Sequence, residues 1–250
     1  MNKGLLLFAA TILLILLSCN ASSARLMPFG GYEPLAKVLS QYVDDEGKVN
    51  YAALKENSSD LDDFVASIVN TNIEVFSQNE KKAFWINAYN ALTLKTVVDK
   101  YPVKSIRLIN FGLVWKMPKN VAHGKFSLGD IEHNILRKMG DPRVHFAINC
   151  ASGGCPKLSQ RPFYPETLDQ QLNAEAKRFI NDKEKVRLDR ENNVLYYSAI
   201  LDWFEEDFLV VEKDILSYIK KYIREEDREY LEQNTVQLKV LDYDWNLNKQ

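Results

Sequence analysis

The sequence predicts one α+β domain, a helix-rich N-terminal part packed on a small, mostly antiparallel sheet. Three observations lead there. Apolar residues recur at helical spacing through most of the chain before Met139. Lys185–Leu188 and Val194–Ser198 read as two strands around the turn Asp189-Arg-Glu-Asn-Asn193. No linker, charge block or internal repeat divides the 250 residues, and 46% hydrophobic content is enough for one sizeable core, read over 28–248. The net charge of −2, with no basic stripe or arginine-rich run, gives no reason to expect nucleic acid as a partner.

The N-terminus reads as a signal peptide over residues 1–24. Lys3 supplies the positive end, and Leu5 to Leu17 is an uncharged apolar run too short to span a bilayer. Two cleavage readings compete. Leu16-Leu17-Ser18-Cys19 looks like a lipobox, with Cys19 lipidated as the first mature residue; Ser22-Ser23-Ala24 offers an ordinary signal-peptidase site before Arg25. The lipobox is favoured, because a cysteine ending the apolar run is otherwise unmotivated. The expected location is outside the cytoplasm in the cell envelope, with a lipid on Cys19 as the only membrane contact. Cleavage after Ala24 would give a secreted or periplasmic protein instead.

Along the mature chain, Tyr32 to Tyr42 carries Leu35, Val38, Leu39 and Tyr42 at helical spacing, until Asp44-Asp45-Glu46-Gly47 breaks it. Val49-Asn50-Tyr51 reads as extended, and Leu54 to Val69 as a second helix. Glu80 to Lys100 is a helix apolar almost all round between Ala83 and Leu94, hence buried. Its Asn87 and Asn90 must find partners there: they tie down loop carbonyls, or they orient an imidazole or an oxyanion. Ile106 to Lys116 reads as extended, and Lys119 to Lys125 as a hairpin with His123 at its exposed tip. Ser127 and Asp130 begin a helix whose core face is Leu128, Ile131, Ile135, Leu136 and Met139. Glu132 falls within that face and His133 just outside it. Helices over Pro165–Ile180, Glu212–Ile223 and Glu226–Gln233, an aromatic turn at Ile200–Phe204 with Asp207-Phe208, and a last strand Val236–Leu241 complete the series.

Val144 to Cys150 reads as a strand, because Val144, Phe146 and Ile148 alternate with His145, Ala147 and Asn149. It runs into Cys150-Ala-Ser-Gly-Gly-Cys155, small residues around a thiol, with Gly153 and Gly154 free to take positive φ or to allow close approach. With Cys19 removed or lipidated, Cys150 and Cys155 are the two remaining cysteines, and outside the cytoplasm they can form a local disulfide. The spacings of Cys and His match no zinc or thioredoxin pattern, so no metal and no cofactor is expected.

A nucleophilic Cys150 requires a base. On a strand, His145 would lie roughly 16 Å away and on the opposite face. His133 is therefore preferred over His145, and also over His123, because a helix holds a side chain more firmly than a hairpin tip.

Phe84-Trp-Ile-Asn-Ala-Tyr-Asn90, Leu128-Gly-Asp-Ile-Glu-His133 and Asp141-Pro-Arg-Val-His-Phe-Ala-Ile-Asn-Cys-Ala-Ser-Gly-Gly-Cys-Pro156 together resemble the domain of unknown function 547 family. Tyr243-Asp-Trp-Asn-Leu-Asn248 looks like its closing motif, so the resemblance runs from about residue 76 to 248. It aligns Glu132, His133, Cys150, Asn87 and Asn90 with the family's motif residues and implies nothing firm about activity. Two readings stay open. One is a papain- or transglutaminase-like thiol hydrolase or acyltransferase, acting on an amide or ester in a small molecule or peptide. Its site would be Cys150, His133, Glu132, Asn87 and Asn90. The other is a non-catalytic envelope binding module in which these groups are structural.

Overall fold

A computed structural model describes residues 29–250. The signal segment and both cleavage sites, Cys19 included, lie outside them. The described residues form the single α+β domain that the pattern predicts.

The N-terminal part is helical because its apolar stripes can be buried against one another. α1 (Glu33–Tyr42) buries Leu35, Val38, Leu39 and Tyr42, the stripe its spacing predicts. The single helix expected from Leu54 to Val69 is in fact two, α2 (Tyr51–Glu56) and α3 (Ser59–Val69). Between them the Asn57 amide bonds back to Ala53 O and the Ser58 hydroxyl to Asp62, local competition that Asn and Ser side chains offer to a continuing helix. Asn50 caps α2, so Tyr51 is helical, and only Val49 of the expected extended piece forms bridges, to Val43 and Lys249.

α4 (Gln78–Lys100) is the spine of this half. Ser77 and Glu80 close a capping box at its start, and every residue from Ala83 to Leu94 is buried. β1 (Lys119–Val121) and β2 (Gly124–Phe126) make the predicted hairpin, with exposed His123 in its turn. After them the Ser127 amide and hydroxyl both donate to Asp130, starting the expected helix. Asp130–Leu136 then widens into a π-helix, tightens at Arg137–Met139, and ends on left-handed Gly140.

Two stretches read as extended are turns of 3-10 helix. Ile106–Gly112 and Val114–Lys116 follow a Ser105 cap, and Asn110, Phe111 and Gly112 reverse the chain at φ of 48, 55 and 84°. More consequential is Val144–Cys150. Asp141 accepts from the Arg143 N–H, Pro142 occupies the first turn, and Pro142–Phe146 coils. Asp-Pro is a helix-start signal. It prevails here because the apparent alternation had no solvent face to define: all residues from Val144 to Asn149 are buried. With no strand, the opposite-face argument against His145 no longer holds.

The C-terminal half is α5 (Leu168–Ile180), the antiparallel pair β3 (Val186–Asp189) and β4 (Val194–Ser198), α6 (Ala199–Trp203), α7 (Glu205–Phe208), α8 (Ile215–Tyr222), α9 (Glu225–Gln233) and β5 (Gln237–Leu241). β5 lies parallel to β4, so the sheet is mixed in the order β3-β4-β5. Each half has its own apolar core. Val144, Ala147 and Ile148 belong to the first and Phe146 to the second, which puts the turn before Cys150 at the seam between them.

Asp141 anchors that turn. It accepts from Lys82 of α4 at 2.8 Å and from Arg143 at 2.9 and 2.8 Å. Burial pushes its carboxyl up, but the hydrogen bonds and charges of Arg143 and Lys82 outweigh it and bring the pKa down to about 2. A carboxylate held below its unfolded value of roughly 3.9 adds stability above that pH and loses it as pH falls through the folded value. Asp141→Asn is therefore expected to lose about 2 kcal/mol at pH 7 in urea unfolding, with the gap to wild type closing toward pH 2. A gap that stays constant over that range would show that the charge contributes nothing.

Candidate functional site

The seam opens into a cavity of about 230 Å³ lined by both halves of the chain. α4 contributes Tyr89, the π-helix Glu132 and His133, and the Asp141-capped turn His145; Trp203, Phe204, Tyr243 and Trp245 come from the C-terminal half. Cys150 and Cys155 complete the lining. Glu132 and His133, adjacent on the widened helix, share this one cavity.

Cys150 and Cys155 are joined as a disulfide, with Cα atoms 6.2 Å apart. Cys155 is buried and Cys150 half-buried. The loop between them is held by the C-terminal tail. Gly153 N–H donates to Asn246 O at 2.8 Å, Gly154 N–H to Asp244 O at 2.7 Å, and Ala151 O accepts from Asn248 N–H at 3.2 Å. Ala151, rather than either glycine, takes the left-handed φ of 62°. The glycines serve close approach instead: a Cβ on Gly154 would sit 2.7 Å from the Tyr243 ring, and one on Gly153 would strike the Asp244 carboxylate. Lys185, buried beside the loop, donates to Gly153 O at 2.6 Å, and burial lowers its pKa.

Tyr243 places its hydroxyl 3.2 Å from Cys150 Sγ, 3.1 Å from Cys155 Sγ and 2.8 Å from Ser152 Oγ. Burial pushes that phenol far up, against the opposing hydrogen bond to Ser152, so it remains a neutral hydroxyl. The Tyr243 ring packs on Trp203 and Trp245 at centroid distances of 4.8 and 4.5 Å, and Trp115 meets Trp245 edge-on. One side of the cavity is thus an aromatic wall beside the disulfide.

The polar side is more ordered. Glu132 accepts a hydrogen bond from the Tyr89 hydroxyl at 3.1 Å. His133 is exposed, and its Nδ1 lies 3.4 Å from the Arg137 guanidinium, which can only donate. His145 is 2% exposed, stacks on Phe204 at 4.1 Å, and holds Asp207 at 2.7 Å through Nε2. Arg137 grips the same carboxylate through Nε at 2.6 Å and a second nitrogen at 3.1 Å. Burial raises the Asp207 carboxyl, yet the hydrogen bonds from His145 and Arg137 prevail and keep it well below the usual range. An ionised Asp207 accepts the Nε2 proton, which leaves the lone pair of a neutral His145 on Nδ1.

Asn87 and Asn90 do not line the cavity. Asn87 bonds both the carbonyl and the N–H of Phe163, at 2.8 and 2.9 Å. Asn90 does the same across Ala147 O and Asn149 N–H, at 2.9 and 2.8 Å. Both clamp backbone on either side of the disulfide loop. Thus Cys150, His133 and Glu132 are brought together, and the two amides hold up the segments behind them. His145 is set aside only by the expected strand geometry, whereas Asp207, Arg137 and the aromatic wall have no place in the sequence-based site. The only signal for them was aromatic density at Trp203-Phe204 and Tyr243-Asp-Trp245. Among the described residues, no group of three or more His, Cys, Asp or Glu is placed to hold a metal ion.

Comparison with curated proteins and with solved structures returns no match. A match to a family does exist over residues 73–180. That segment carries Asn87, Asn90, Glu132, His133, His145 and the cysteine loop, whereas Asp207 and the 203–245 aromatic wall lie beyond it. Residues 73–180 match the model of the family described as "Protein of unknown function, DUF547", which supports assigning that segment to it.

Proposed function

We propose that the chain is a thiol-dependent hydrolase or acyltransferase acting on an amide or ester, with Cys150 as nucleophile and the Cys150–Cys155 disulfide as its stored form. The observation that carries this is a single one. One cavity is lined by both a half-buried cysteine and an imidazole whose Nε2 is held by a half-buried carboxylate. The base is His145 rather than His133. Asp207 sets the tautomer and ring position of His145, whereas His133 sits at the rim with Nδ1 accepting from Arg137.

A dithiol reductant first takes up the sulfur–sulfur bond, leaving two thiols and an oxidised dithiol. Cys150 then gives its proton to His145, and its sulfur attacks the carbonyl carbon. A carbon–sulfur bond forms; the carbon–nitrogen or carbon–oxygen bond breaks as the leaving group takes the proton from His145. Water, or an amine or alcohol in a transfer reaction, releases the acyl group from sulfur. The hydroxyls of Tyr243 and Ser152 stand close enough to donate to the thiolate. The aromatic wall favours an acyl group with an apolar or aromatic portion. A disulfide that persists at rest suits a compartment outside the cytoplasm, in keeping with lipidation at Cys19 as the means of retention there.

The aromatic lining also favours a second reading, a binding module for an apolar ligand with no covalent step. Intact-mass analysis separates the two. The reduced protein incubated with an aromatic p-nitrophenyl ester is expected to gain one acyl group on Cys150, and neither the oxidised protein nor Cys150→Ser should gain it. Acylation spread over lysines alone, with Cys150 unmodified, would leave the binding module.

A further inference from the structure

The turn Ile106–Gly112 and the residue after it expose three large apolar side chains at one tip: Leu108 at 64%, Phe111 at 100% and Leu113 at 53%. Asn110, Phe111 and Gly112 all hold left-handed φ, which turns the chain tightly and leaves Phe111 touching nothing that would cover it. The charge flanking this tip in sequence is one-sided. From residue 100 to 129 the sequence carries Lys100, Lys104, Arg107, Lys116, Lys119 and Lys125 and no carboxylate, in a chain whose net charge is −2. None of these six is in an ion pair among the described residues; Arg107 instead lies over Trp245 at 4.7 Å.

An exposed apolar tip flanked in sequence by unpaired cations is complementary to one kind of surface, a bilayer bearing anionic headgroups. The apolar side chains enter the headgroup boundary and the cations face the phosphates. We propose that the 106–116 segment seats the domain on an anionic bilayer, a contact separate from any lipid on Cys19. It is independent of the thiol chemistry, although the segment reaches the cavity wall through Trp115. Charge decides between lipid and protein as occupant. A protein partner would need a matching acidic groove, whereas a bilayer supplies apolar depth and negative charge together.

The test uses the full chain carrying Phe111→Trp, with wild type as the background for the native tryptophans. Because Phe111 is fully exposed, this substitution leaves the fold alone. Vesicles of brominated phosphatidylglycerol are expected to quench the added fluorescence, brominated phosphatidylcholine vesicles are not, and high salt should restore it. Lys104→Gln and Lys116→Gln should each weaken the quenching isotherm about five-fold. The proposal is overturned if the introduced indole stays unquenched while the chain sediments with phosphatidylglycerol vesicles, since another segment is then the anchor. Equal quenching by both lipids removes the electrostatic part and overturns it as well. So does a blue shift of the introduced indole that needs protein concentration but no lipid, which would mark contact with a second copy.

Discussion

Asn90→Ala is expected to destabilise the protein by about 3 kcal/mol and to speed reduction of the Cys150–Cys155 disulfide. The amide satisfies two buried backbone groups, Ala147 O and Asn149 N–H, in a segment where every residue from Val144 to Asn149 is buried. Each orphaned group costs about 1–3 kcal/mol. Asn149 in turn accepts from Ala151 N–H at 2.7 Å and donates to Pro156 O at 2.7 Å, so losing its anchor slackens both ends of the cysteine loop. Asn90→Asp does not rescue the change, because it loses the donor to Ala147 O and buries a charge. Urea unfolding and the half-time of disulfide reduction are the two readouts. A stability within about 0.5 kcal/mol of wild type would mean that the loop holds itself.

Asp207→Asn is expected to act on stability and chemistry together. It breaks the ion pair to Arg137 and weakens the hold on His145, at about 2 kcal/mol, modest for a buried pair because a fifth of the Asp207 side chain still meets water. The larger effect is on acyl transfer to Cys150. An asparagine can present its amide to Nε2 and turn the ring to the opposite tautomer, which puts the proton where the base should be; about 10²–10⁴-fold in acylation rate follows. Arg137→Gln provides the contrast, as it touches the carboxylate but leaves the Asp207–His145 bond. A variant with lower stability and an unchanged acylation rate at Asp207→Asn would make the pair structural.

Much of the fold could be read in advance because its stripes are regular. α1, α4, the β1-β2 turn and the β3-β4 hairpin all follow from spacing or from turn residues that do not depend on distant contacts. The segment before Cys150 misled for a physical reason. A period-2 pattern identifies a strand only when one face meets solvent, and here both faces are buried between two cores, so alternation carried no information and the Asp-Pro start decided the geometry. That single misreading removed His145 from consideration.

Glu132 and His133 were legible as a pair, although a wheel at 100° per residue does not anticipate the π-helix that carries them. Asp207, Tyr243 and Trp245 stood in legible motifs, but nothing in the sequence tied them to Cys150. They lie far from Cys150 in sequence, and the two aromatics reach the loop only because the tail returns along it after β5.

The central claim, that Cys150 is a nucleophile served by His145, is tested most directly by the pH dependence of its alkylation. In a Cys155→Ser background only one thiol of the loop reports and no disulfide interferes. Proton transfer to His145 lowers the thiol below its ordinary pKa of roughly 8.5, so iodoacetamide should react quickly down to mildly acidic pH. His145→Ala should restore the ordinary profile, while His133→Ala leaves the fast reaction largely intact. Alkylation that rises only above about pH 8 and is indifferent to His145→Ala would contradict the account.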